Sequence, residues 1–224
     1  MAKNDRKMKN EGGRYSLKGS CLWGILLFAI LLLIDQLTKT VAELYFASEN
    51  VEPVQILPGY INLRLVYNRG ISYGLGSNAS PMIKMGVIAG TAAIMLILTV
   101  CYFAIDKRRK CLRTAFVFVV AGGVGNLVDR LYYRVWEAGG AKGVRDMVDI
   151  SRFGFAVCNF ADFFITFGAI LIVLAFLFFD RDAFLPVGKY KRLAKEYEEK
   201  TEAKKAAKKS DNQTENQPQA SENQ

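Results

Sequence analysis

The sequence predicts an all-α membrane protein, four transmembrane helices with a small extracytoplasmic β-sheet and loop region. Three observations predict it. Apolar residues make up 51% of the 224 residues and gather in four blocks, where a soluble core would spread them. Lys and Arg collect at alternate block ends. The stretch between the first two blocks alternates apolar and polar residues at strand period.

The uncharged cores are Cys21–Ile34, Met85–Ile105, Thr114–Val128 and Phe163–Phe179. A spanning helix needs about 20 residues. Only the second core reaches that by itself. The first must draw in Asp35 and Lys39, the third Asn126 to Arg130, the fourth Asn159 and Asp162. Some ionisable groups are therefore expected at or below the lipid surface. The first block has the basic start and apolar middle of a signal peptide, but no small-x-small site follows it and "DQLTKTVAE" continues in helical register, so a retained anchor is expected.

Basic residues set the orientation. Lys3, Arg6, Lys7, Lys9, Arg14 and Lys18 precede the first span, "DKRRKCLR" joins the second to the third, and Arg181, Lys189, Lys191, Arg192 and Lys195 follow the fourth. Residues 45–80 carry only Arg64 and Arg69. Both termini are thus expected inside, with 45–80 and 132–158 outside. On that map Asp35, Asp129 and Asp162 converge on the outer leaflet, while Asp106 and Asp180 mark inner ends.

Between the spans, Ile61, Leu63, Leu65 and Tyr67 keep strand period, and Pro58-Gly59 reads as a turn. Residues 132–158 read as a second outer segment, Gly-rich at "AGGAKG". Gly86 and Gly90 form G-x-x-x-G, expected to pack closely inside the monomer. The end of the chain, "SDNQTENQPQASENQ", has a disordered composition.

The composition excludes several chemistries. There is no His, so no imidazole base. Cys21, Cys101, Cys111 and Cys158 are widely spaced, without C-x-x-C, and read as small apolar residues. No metal and no cofactor are expected, nor any nucleic-acid partner. The acids remain. Asp35 and Lys39 stand one turn apart, which suits a plain helix-end ion pair or a scaffold. "GGVGNLVDRL" puts Asn126, Asp129 and Arg130 on one face, for polar packing, for a site, or for both. "CNFAD" has the form of a capping box with Asn159 as N-cap, yet a carboxylate at membrane level is expensive and usually functional. "GVRDMVDI" adds Asp146 and Asp149. Without imidazole, two carboxylates a few ångströms apart can share a proton, one acting on a water and the other on a carbonyl. A transporter or proton channel also uses intramembrane acids, but places them at mid-depth and on both sides; a structural scaffold needs no convergent acids.

Together, "DQLTK", "YNRGISYGL", "GGVGNLVDRL", "VRDMVDI" and "NFAD" occur in an order that resembles the lipoprotein signal peptidases (signal peptidase II), over roughly residues 20–180. The resemblance implies a four-helix bacterial membrane aspartic peptidase that removes prolipoprotein signal peptides before a diacylglyceryl-modified cysteine. It implies a catalytic pair of Asp146 and Asp162. Asp35, Lys39, Asn68, Gly70, Asn126, Asp129, Arg130 and Asn159 match the supporting positions. It further implies a multi-pass protein of the cytoplasmic membrane, working as a monomer among membrane lipids on diacylglyceryl-modified prolipoproteins, with its site on the extracytoplasmic face. The expected organisation is a basic segment 1–19, a membrane peptidase domain 20–182 and a charged tail 183–224. Two departures stand out. Val-Arg-Asp replaces Val-Val-Asp, so Arg145 neighbours the proposed catalytic acid, and the segment before Asp146 is longer than usual.

Overall fold

The computed structural model describes residues 17–46, 48, 51–70, 76–105, 109–137, 142–179, 185, 187, 188, 190–196, 198, 199 and 201–203. The start of the basic N-terminal segment, the end of the tail, most of "AGGAKG", and Asp106 and Asp180 lie outside these residues. The chain falls into two compact units, Met1–Ile172 and Val173–Gln224.

Four helices among the described residues are long and apolar enough to cross a membrane. They are α1 (Leu17–Tyr45), α2 (Pro81–Ala104), α3 (Lys110–Tyr132) and α4 (Phe160–Leu177). The expected lengthening by polar flanks is seen. Asp35 closes the uncharged core of α1 but lies well inside the helix, and Asp129 lies in the last turn of α3. Ser80 caps α2, with Pro81 at its first position, where the missing N–H costs nothing.

The buried span is α3, packed against both α1 and α2. Its glycines allow this. A Cβ on Gly122 would collide with the Ala161 carbonyl of α4, and one on Gly125 with the Asp35 carboxylate of α1. Gly86 and Gly90 differ from expectation, since a Cβ on either meets nothing within 4 Å. G-x-x-x-G shows that a helix has a small-residue stripe; it does not say that a neighbour covers it.

Among the described residues, three antiparallel strands form one sheet in the order β1 (Val54–Leu57), β2 (Ile61–Asn68) and β3 (Val144–Asp149). The turn at Pro58-Gly59 is confirmed by the Tyr60 N–H donating to the Leu57 carbonyl at 2.9 Å, with Gly59 at φ 77°. β3 is a strand within 132–158, where the sequence shows no strand period. It pairs Val66 with Asp146 and Tyr67 with Arg145, and its other side bridges Val148 to Cys158. In the second unit residues 190–196 are helical, and the Leu185 N–H donates to the Leu177 carbonyl at 2.8 Å.

Candidate active site

Asp162 sits in the first turn of α4, with its place set by a reciprocal cap. The Asn159 backbone N–H donates to Asp162 Oδ2 at 3.0 Å, and the Asp162 N–H donates to Asn159 Oδ1 at 3.2 Å. This is the arrangement "CNFAD" suggests, and it leaves Asp162 Oδ1 for another partner. The Asn126 Nδ2 donates to it at 2.8 Å. Capping and site-building are therefore one structure.

Asp146 comes from β3. It is 3% exposed, and Asn159 Nδ2 donates to its Oδ1 at 2.6 Å. The Asn68 side chain is a second hydrogen-bond partner. Burial pushes the Asp146 carboxyl up to about 7, and the charge of Asp162 adds to the rise. Such a group holds a proton close to neutrality beside a second acid. Asp146 and Asp162 line one cavity of about 470 Å³, together with Asn68, Asn126 and Arg130. The remaining wall is mostly apolar, with Val144, Phe155, Val157 and Phe163.

Behind the cavity lies a buried ionic layer. Lys39 and Asp35, both 0% exposed, pair at 2.9 Å. Lys39 also donates to Asn126 Oδ1 at 2.9 Å and lies 3.5 Å from Asp129. Asn159 Nδ2 reaches the same Asn126 oxygen at 3.1 Å. With that oxygen engaged by two donors, the Asn126 NH₂ is turned toward Asp162. Asp35 Oδ1 accepts the Ala161 N–H at 2.9 Å, tying α1 to the start of α4. The "DQLTK" pair is thus an ion pair, as its spacing allows, and also a scaffold for the asparagines. Arg130 donates to the Gly70 carbonyl at 3.2 Å, while the Gly70 N–H donates to Asn68 Oδ1 at 2.9 Å, which holds the end of β2 against α3.

All ten predicted positions fall in this region. Asp149 does not face the cavity. Its Oδ2 accepts from Arg64 Nε at 2.7 Å and its Oδ1 from the Ser151 N–H at 3.0 Å. Ser151 and Arg64 hold its carboxyl below the usual range. Asp149 follows Asp146 by three positions, an odd offset that alternation along a strand sends to opposite faces.

Arg145 is also redirected. Adjacent in sequence to Asp146, it points to the other face and pairs with Asp129 at 2.7 Å. Glu43 was not singled out by the sequence, yet it accepts from Tyr67 Oη at 2.7 Å, Tyr133 Oη at 2.6 Å and Lys142 at 2.7 Å. The available signal was spacing: Asp35, Lys39 and Glu43 continue one i,i+4 row. Among the described residues, no three His, Cys, Asp or Glu side chains gather as metal ligands.

Four apolar spans, and two carboxylates facing one cavity through shared amides, define the class of integral-membrane aspartic peptidases. The family model of signal peptidase (SPase) II matches residues 27–178. A lipoprotein signal peptidase of Fusobacterium nucleatum is 32% identical over 165 residues, covering 73% of this chain and 91% of the relative. One of Caldicellulosiruptor bescii is 33% identical over 156 residues, covering 69% and 89%. A bacterial membrane enzyme solved in meso at 1.9 Å superposes with a TM-score of 0.54 at 26% identity, covering 69% of this chain and 92% of that one. The chain belongs to the signal peptidase II family.

Proposed function

We propose that Asp146 and Asp162 are the catalytic pair with which this peptidase removes the signal peptides of prolipoproteins. One proton is held between the two carboxyls. The ionised carboxylate takes a proton from a water, and the water oxygen attacks the scissile carbonyl carbon. The protonated carboxyl gives its proton to the carbonyl oxygen. Collapse of the tetrahedral diol breaks the C–N bond: the leaving nitrogen receives the proton first taken from water, and a diol hydroxyl returns its proton to the other carboxylate, which restores the shared proton. The supporting observation is that Asn159 bonds both acids, one through its side chain and one through its backbone N–H.

The scissile bond lies before a diacylglyceryl-modified cysteine. The apolar cavity wall suits acyl chains at the membrane surface. The protein acts as a monomer in the cytoplasmic membrane of a bacterium, with both termini inside and the site at the extracytoplasmic face. Residues 20–182 form the working domain, and the tail 183–224 is dispensable. Cysteines placed at Ser77 and Ser210 test the topology: Ser77 is expected to label from outside in intact cells, and labelling of Ser210 from outside overturns the map.

The activity test is incubation of the purified protein with diacylglyceryl-modified prolipoprotein, followed by mass spectrometry of the products. The expected product begins at the modified cysteine, and Asp146→Asn and Asp162→Asn are expected to yield none while remaining folded. Turnover by Asp162→Asn sinks the two-carboxylate mechanism. Equal cleavage of unmodified prolipoprotein removes the lipid requirement.

A further inference from the structure

Arg145 stands where alternation along β3 turns it away from the cavity that its neighbour Asp146 faces. Its guanidinium makes a fork with Asp129, Nη2 to Oδ1 at 2.7 Å and Nε to Oδ2 at 3.3 Å. Its backbone N–H donates to the same carboxylate at 2.9 Å. Nη2 also donates to Gln36 Oε1 at 3.2 Å, and Nη1 to Thr40 Oγ1 at 3.4 Å and Glu43 Oε2 at 3.3 Å. One side chain therefore joins β3 to α3 and to three successive positions on one face of α1. Glu43 extends the clasp to Tyr67, directly across the ladder from Arg145, and to Lys142, two residues before the strand.

A buried charge network is often no more stabilising than apolar packing of the same volume, and in some proteins its role is to fix one geometry. The chemistry across the strand is sensitive to geometry, since a 1 Å displacement of a reacting group can lower a rate about 100-fold. We infer that Arg145 is a positioning residue, which with Glu43 holds β3 against α1 and α3 so that Asp146 stands opposite Asp162 before substrate arrives. The inference rests on the assignment of Asp146 as a catalytic acid.

Loosening the clasp admits water around Asp146. Asp162 from α4, Lys39 from α1, Arg130 from α3, and Asn68 and Asn159 surround that carboxyl. Arg145→Met also removes a cation and unpairs Asp129, both of which push the Asp146 titration upward, so a downward shift reports rehydration.

The test uses the purified full chain with diacylglyceryl-modified prolipoprotein. Arg145→Met is expected to lower kcat about 10- to 100-fold with KM changed less than about threefold, and to move the alkaline limb of the pH profile downward. Arg145→Lys, which keeps the charge and loses the fork, is expected to recover only part of kcat. A folded Arg145→Met enzyme with unchanged kcat and pH profile, beside an inactive Asp146→Asn, overturns the inference and leaves the assignment of Asp146 standing. An active Asp146→Asn removes the assignment itself. Should Arg145→Met fail to fold, Glu43→Gln leaves the Asp129 fork intact, and a several-fold fall in kcat at constant KM is expected; an unchanged kcat in that variant also overturns the inference.

Discussion

Asn159 and Asp146 are joined by a 2.6 Å hydrogen bond between their side chains. The backbone of Asn159 meanwhile holds Asp162. One asparagine thus relates an acid on a strand to an acid on a helix. Removing its amide by Asn159→Ala deletes a bond to Asp146, the cap on Asp162 N–H and the brace to Asn126. Bonds to charged groups contribute about 1.5–3 kcal/mol each, so the loss of one of them at the transition state lowers kcat by about 10- to 100-fold. Cleavage kinetics on the folded variant measure this; a loss under twofold removes the linking role.

Asp149→Asn is expected to keep substantial activity. The residue is engaged with Arg64 and Ser151 and does not line the cavity. Comparison of initial rates with Asp146→Asn separates the two acids. An inactive Asp149→Asn beside an active Asp146→Asn reverses their roles and leaves the mechanism in place.

Asp146 makes stability fall as pH rises. Its carboxyl titrates near 3.8 when unperturbed and near 7 in the folded chain. Below the lower value both states are protonated. Between them the folded state keeps a proton that the unfolded state has released, so raising pH favours unfolding across that window. Asp146→Asn removes this dependence while keeping an acceptor for Asn159. It is expected to match the parent near pH 4 and to melt several degrees higher above pH 7. Melting curves in detergent at the two pH values provide the check; equal Tm shifts at both point to some other cause.

Gly122→Ala forces a methyl group into the Ala161 carbonyl, at the place where α3 and α4 touch. Overpacking of this kind costs about 1–3 kcal/mol. The expected result is a lower Tm, with Gly86→Ala, open on its outer side, as the neutral comparison. Equal Tm values for both would contradict the packing described here.

The four spans were legible because lipid contact demands apolar runs, and β2 because one of its faces alternates. β3 was not, for a physical reason. "VRDMVD" buries its polar residues on both faces, Arg145 against Asp129 and Asp146 against Asn159, so no hydrophobic period is left to read. Asp146 is nevertheless strand-borne and buried. The pairing of Asp35 with Lys39 was visible in their spacing. Their depth was not, because burial depends on Asn126, Asp129 and Ala161, which arrive from chain-distant helices.

The bond from the Ala161 N–H to Asp35 has a bearing on biogenesis. The ribosome delivers α1 first and α4 last. Until α3 enters, Lys39 has Asp35 but neither Asn126 nor Asp129. Until α4 enters, one oxygen of Asp35 lacks its final donor. A nascent chain therefore carries a poorly satisfied ionic pair within its first span, which is costly in lipid. The last helix to be synthesised relieves it.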